Sequence, residues 1–215
     1  MELQAVSEEK DLGVFFSNEL KSGKQCLKAA AKARSILALV RRHFKRIDTA
    51  SFRLLYKSYI RPHLEFCVQA WSPHLKKDIN TFEKIQISAT QLVPQLKKLT
   101  YEERLQSTNT SLYYFASEKN PGLRGDLIET YKLLTQKEKV SSDQFFKLHA
   151  SGHNTRDSLK LAVQRSRLDL RKFFFSQRVV EQWNGLPQYV INAITLNQFK
   201  SRLDEFLDMG IKGNA

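Results

Sequence analysis

The sequence predicts a mainly α-helical protein, with room for one short β-hairpin. Three observations carry that expectation. Only 8 Gly and 5 Pro occur in 215 residues, too few for a fold built on tight turns. Hydrophobic residues make up 41% of the chain and include 14 Phe, enough apolar surface for a packed interior. Finally, apolar residues recur mostly at three- and four-residue steps, one face of a helix.

Near the start, Asp11-Leu-Gly-Val-Phe-Phe16 is aromatic and β-branched and is followed by the turn residues Ser17-Asn18. It reads as a short strand or half-hairpin, for which the first ten polar residues supply no obvious sheet. Residues 21–46 read as one long helix with Leu27, Ala30, Ala33, Leu37, Val40 and Phe44 as its buried stripe. Asp48 or Thr49 caps the next helix. Its apolar spine runs from Phe52 through Leu55, Tyr56, Tyr59, Ile60 and Leu64 to Trp71, and Pro62 is expected to kink or interrupt it.

Residues 76–93 form a third helix, with Ile79, Phe82, Ile85, Ala89 and Val93 on one face and Pro94 closing it. Three such helices with short links suggest a bundle. Thr100-Tyr-Glu-Glu103 is a capping box for a short helix. Residues 106–124 lack a period and contain Asn120-Pro-Gly122, which marks a candidate boundary. Asp126 is then expected to cap a helix running to Lys137 over Leu127, Tyr131 and Leu134. Phe145 and Phe146 begin a short element. Residues 158–163 and 167–171 alternate like strands that could pair. Helical spacing returns from Phe173 to Trp183 and stops at Asn184-Gly185. Thr195 with Gln198 caps a last helix over Leu196, Phe199, Leu203, Phe206 and Leu207.

Charge is unevenly placed. The chain holds 35 Lys and Arg against 22 Asp and Glu, a net +13. From Lys21 to Lys77, 14 basic residues minus two acids gives +12, and +13 minus +12 leaves +1 for everything else. No acid occurs between Lys21 and Ile47, so Lys24, Lys28, Lys32, Arg41, Arg42 and Lys45 lack the i,i+4 partners of an ordinary solvated helix. Concentrated, unneutralised charge points to a polyanion, with phosphates the natural ligand.

Other chemistry is poorly represented. His63, Cys67 and His74, or His149 and His153, do not make the cysteine-paired set of a structural zinc site. No Gly-x-Ser-x-Gly elbow and no phosphate-cradling Gly-rich loop occurs. No Asp-Asp pair is present to hold catalytic metals, so no catalytic residue is assigned and no cofactor is expected. Arg124-Gly-Asp126 reads as a loop entering a helix. Two cysteines suggest a reducing, intracellular compartment, with cytoplasm and nucleus both open. Glu2, Glu8 and Glu9 stand where a secretory leader would need a basic and then apolar run, and no membrane association or small-molecule substrate is expected.

Ordered blocks then run along the chain. They begin with Lys10-Asp-Leu-Gly-Val14, Cys26 to Ala33, Leu55-Tyr-Lys-Ser58, Ile60-Arg-Pro-His-Leu-Glu-Phe-Cys67 and Trp71-Ser-Pro73. Next come Lys77-Asp-Ile79, Phe82-Glu-Lys-Ile-Gln86, Ala89-Thr90, Leu99-Thr-Tyr-Glu-Glu-Arg-Leu105, Arg124-Gly-Asp-Leu-Ile-Glu129 and Tyr131-Lys132. Ser158-Leu-Lys-Leu161, Arg171-Lys-Phe-Phe-Phe-Ser176, Arg178-Val-Val180 and Trp183-Asn-Gly-Leu-Pro187 complete the series. It closely resembles the C-terminal part of reverse transcriptases from jockey-like non-LTR (LINE-type) retrotransposons, from about Lys10 to about Leu207.

The resemblance implies that Leu12, Gly13 and Val14 correspond to a primer-grip hairpin, giving residues 1–20 as its remnant. Residues 21–95 would be a thumb-like helical bundle on the template–primer duplex, and residues 96–215 the family's C-terminal helical segment. It implies that the magnesium-binding aspartates of the palm precede this stretch and lie outside it, so the parent activity, RNA-directed DNA polymerase, is not expected here. Two blocks depart from the family: Ser117-Glu-Lys-Asn-Pro-Gly-Leu-Arg124 replaces an arginine-rich approach, and the pattern around Asn154-Thr-Arg-Asp157 is shortened. The expected partners are RNA or an RNA–DNA duplex, with the absent palm or another protein as alternatives. A protein-interaction module, a relic without a role and a truncated gene are the rival readings.

Overall fold

In the computed structural model the described residues are 6–108, 122–149 and 159–212, with side chains described as far as Leu207. The protein is mainly helical, with one two-stranded antiparallel hairpin. It divides into two compact units, residues 1–122 and 123–215. Residues 96–108, which the sequence reading grouped with the C-terminal segment, lie in the first unit.

The first unit opens on strands β1 (Glu8–Asp11) and β2 (Val14–Ser17), paired Asp11 to Val14 and Glu8 to Ser17. The polar residues before Leu12 thus supply the partner strand that the sequence did not reveal. Leu12 and Gly13 form the two-residue turn, with φ of 46° and 89°. Positive φ at both centres is what a right-twisted hairpin requires, and Leu is an uncommon residue to adopt it.

Helix α1 (Gly23–His43) buries Cys26, Ala30 and Ala33 with no exposure, followed by Leu37 and Val40. These small residues let α5 (Lys76–Thr90) approach closely with Phe82, Ile85 and Ala89. The predicted stripe was right at four of its six positions. Leu27 is 59% exposed because the buried row steps from residue 26 and not 27, about 100° away around the helix. Phe44 is exposed because α1 ends before it and the chain turns extended there, at φ −112°, ψ 105°.

Asp48 caps α2 (Thr49–Leu55), its carboxylate accepting from the Ser51 N–H at 2.7 Å, as the sequence predicts. Pro62 does not break the spine. A π-helical turn over Tyr56–Ile60 leads directly into α3 (Arg61–Glu65), with the Arg61 N–H donating to the Tyr56 carbonyl. The widened turn accommodates a ring with no N–H to donate. The break comes later, at Cys67, whose φ is 51°, before α4 (Val68–Trp71). Trp71 stacks on Phe82 with ring centroids 5.9 Å apart, and its indole N–H donates to the Phe66 carbonyl. A 3₁₀ turn (Pro94–Leu96) follows α5. The Thr100–Glu103 capping box forms as predicted at the start of α6 (Tyr101–Thr108).

In the second unit α7 (Leu123–Leu134) carries the buried residues Leu127, Tyr131 and Leu133. Asp126 does not cap it. Its carboxylate is fully buried and holds Arg178 through two hydrogen bonds, of 2.8 and 2.9 Å. After a 3₁₀ turn (Ser142–Gln144), Leu148 bridges Leu161. The predicted pairing of residues 158–163 with 167–171 is not what forms. Residues 169–172 are helical (α8, Asp169–Lys172), and both Leu168 and Leu170 are exposed, so their alternation marks no buried sheet face.

Short helices α9 (Phe175–Arg178), α10 (Val180–Asn184) and α11 (Gln188–Ile191) lead to α12 (Leu196–Lys212). At its start the Thr195 hydroxyl accepts from the Gln198 N–H as predicted, while the Gln198 side chain accepts from the N–H of Ile194 and not from that of Thr195. Phe199 of α12 stacks on Tyr131, centroids 4.1 Å apart, and the Tyr131 hydroxyl donates to the Ala193 carbonyl at 2.6 Å.

Candidate nucleic-acid interface

The outer surface of α1 is cationic because its inner surface is fixed by the alanine row. With residues 26, 30, 33, 37 and 40 buried, Lys28, Lys32, Arg41 and Arg42 fall on the exposed side, and Lys45 follows the helix end, also exposed. Among the described residues, no carboxylate forms an ion pair with any of these five. Lys28 and Lys32 stand four residues apart on one side of the rod, with Arg42 at its far end. Arg41 lies further around the rod, so the cations cover a broad arc and not a single line.

Lys24 differs from the rest. It is half-buried and pairs with Glu8 of β1. Lys24 and Lys28 also stand over the Phe15 ring at 5.4 and 5.7 Å, and Lys10 from β1 joins them at 5.6 Å. The hairpin is tied to α1 at this point, since the Phe15 N–H donates to the buried Gln25 side chain at 3.1 Å. Of the residues that the resemblance matches to a primer grip, Leu12 projects into solvent, Gly13 turns the chain and Val14 is buried in the first core. A Cβ at Gly13 would stand 3.2 Å from the Phe66 ring.

Lys10, Arg34 and Arg46 are further cations near α1 that the sequence did not single out. Lys10 reaches the cluster only because β1 pairs with β2, while Arg34 and Arg46 are exposed on or just beyond α1. Two others in the basic stretch are occupied. Arg53 donates to the carbonyls of Thr108 and Ser107 at 2.7 and 2.9 Å, tethering the end of α6, and Arg61 pairs with Glu65 at 2.7 Å.

One carboxylate bears on the start of α1. Asp78 of α5 is buried and lies 3.7 Å from where a Gly23 Cβ would stand. The first turn of α1 contains no acid and Ser22 makes no side-chain cap, so Asp78 faces the positive end of the helix. Burial raises the Asp78 carboxyl above its ordinary value. Burial, with the Asp78 charge adding to it, pushes the Cys26 thiol up to about 12, so Cys26 is a packing residue and not a nucleophile.

The exposed side of α1 thus gathers positive charge along the helix. Among the described residues no three His, Cys, Asp or Glu side chains converge to hold a metal ion; His153 lies outside them. The described acids therefore do not fit a magnesium site. No described helix is long and apolar enough to cross a membrane. No protein-family model matches the chain, and no curated protein or solved structure matches it significantly.

Proposed function

We propose that this chain is the C-terminal, catalytically incomplete part of a jockey-like non-LTR retrotransposon reverse transcriptase, and that it binds template–primer nucleic acid through α1. The observation that carries the reading is the set of exposed cations, without an ion pair among the described residues, on and just beyond a helix of 21 residues, a rod of about 30 Å. Lys28, Lys32, Arg41, Arg42 and Lys45 are the phosphate ligands. Lys24, held by Glu8, is a weaker contributor. The ordered sequence blocks supply the family, and the Leu12–Gly13 turn beside α1 agrees with a hairpin near the primer end. Such binding is electrostatic and nearly blind to sequence, because phosphates carry no base information.

The test is a fluorescence-anisotropy titration with an RNA–DNA hybrid across salt concentrations. With five phosphates neutralised, log affinity falls against log salt with a slope of roughly −3.5 to −4.5. A slope near zero refutes the proposal. A second reading, docking of a protein on the same helix, is favoured by Leu27 and Leu39, both more than half exposed on its outer surface. Protein capture that survives high salt, without hybrid binding, would select it.

A further inference from the structure

The +1 left outside residues 21–77 is not evenly spread. Between Leu159 and Phe174 stand five basic residues (Lys160, Arg165, Arg167, Arg171 and Lys172) and one acid, Asp169, so 5 − 1 = +4. Among the described residues, Arg165, Arg167, Arg171 and Lys172 form no ion pair. Large apolar side chains lie among them in solvent: Val163 is 65% exposed, Leu168 70% and Phe174 46%.

The backbone there is open as well. Just before it, the chain is well held. The Lys160 carbonyl accepts from the His149 N–H at 2.8 Å, and the Ala162 N–H donates to the Lys147 carbonyl at 2.7 Å. On the other side, Asn184 engages both the N–H and the carbonyl of Leu161. From Val163 to Arg167 no described backbone group meets another. Burial nevertheless keeps a strand-like alternation, with 162, 164 and 166 half-buried and Val163, Arg165 and Arg167 exposed. The Gln164 side chain fastens the inner side, accepting from Gln177 at 3.3 Å. The segment is thus held like an edge strand that lacks its neighbour.

We propose that residues 163–172 are a docking edge for an extended acidic segment of another protein. The segment adds as a strand along 163–167, with carboxylates at alternate positions facing Arg165 and Arg167 and an apolar side chain against Val163. Alternate residues of an extended chain are about 6.6–7 Å apart on both partners, so two carboxylates meet two guanidiniums in register. Guanidinium binds carboxylate through paired hydrogen bonds, and main-chain pairing supplies the rest, as in other strand additions.

A nucleic-acid strand fits this edge less well. The two aromatic rings that bases would need for stacking already carry cations, Lys172 over Phe173 and Arg171 over Phe174, each at 5.7 Å. Val163 and Leu168, placed between the cations, have no counterpart on a phosphate chain. The proposal concerns the second unit and does not depend on the function assigned to α1.

The test uses the full chain and a fluorescein-labelled peptide built on Glu-Thr-Glu-Thr-Val. Its controls are the same residues reordered to Glu-Glu-Thr-Thr-Val, a version N-methylated along one edge, and oligouridylate. Saturable binding of the alternating peptide is expected, weakened about ten-fold by reordering and by N-methylation. The Arg165→Glu, Arg167→Glu double variant should lose it with thermal unfolding unchanged, while Lys28→Glu, Lys32→Glu keeps it. Equal affinity for the reordered or N-methylated peptide overturns the proposal. So does absence of peptide binding, or preferential capture of oligouridylate by the same two arginines.

Discussion

Replacing Asp126 with alanine should be among the most damaging single changes in the second unit. The Asp126 carboxylate is fully buried, and Arg178, itself 8% exposed in its side chain, donates to both of its oxygens at 2.8 and 2.9 Å. The guanidinium makes another bond, at 2.9 Å, to the Phe173 carbonyl. Alanine removes two charge-assisted hydrogen bonds and strands a cation with little water to solvate it. Losing one partner of such a pair costs about 3–5 kcal/mol. That is a large part of the roughly 5–15 kcal/mol that holds a domain together.

The two tryptophans make the measurement clean. Trp71 lies in the first core and Trp183, fully buried, in the second. In a Trp71→Phe background, urea unfolding followed by fluorescence therefore reports the second unit. Asp126→Ala should shift its midpoint by the stated amount. Asp126→Leu combined with Arg178→Met should recover most of the loss, since an apolar pair leaves no buried charge. A cost below about 1 kcal/mol for the alanine variant would refute the reasoning.

Burial pushes the Asp126 carboxyl up to about 6 from an ordinary 3.8, against the pull of Arg178. The native state then keeps a proton that the unfolded chain releases, so stability of this unit should fall as pH rises from about 4 to about 6 and level off above. Carboxyl-carbon NMR of Asp126 checks it, and a native value below 3.8 would mean that Arg178 prevails. Phe82→Ala opens a void beneath Trp71 and should cost the first unit about 3–5 kcal/mol in urea titrations read from Trp71. Arg53→Ala releases the Ser107 and Thr108 carbonyls and should cost about 1–3 kcal/mol, with faster hydrogen exchange confined to α6.

Local chemistry was legible wherever it closes on itself within a few residues. The Asp48 cap, the Thr100–Glu103 box and the Thr195 cap of Gln198 form as their side chains dictate, although the Gln198 side chain turns to the Ile194 N–H. The buried stripe of α1 was read correctly through Ala30, Ala33, Leu37 and Val40, but Cys26 takes the place assigned to Leu27 because α5 selects the narrower row. What the sequence concealed depends on distant partners. The polar strand Glu8–Asp11 becomes visible only with its pairing to β2, and Asp126 reads as a cap until Arg178, far along the chain, takes its carboxylate. Pro62 shows the limit of a breaker rule, since one π-helical turn absorbs it.

The basic surface was legible as a charge count, and its exposure follows from the alanine row that buries the opposite side. The count could not foresee that Arg53 and Arg61 are committed to internal bonds, or that Lys24 pairs with Glu8.

The central claim is that the α1 cations hold a duplex backbone. The most direct measurement compares the wild-type chain with a variant carrying Gln at 28, 32, 41, 42 and 45, using the same RNA–DNA hybrid across a salt series. The variant should keep its thermal unfolding and lose the salt dependence almost entirely, each removed cation flattening the slope by about 0.7–0.9. Equal slopes for the two proteins would contradict it.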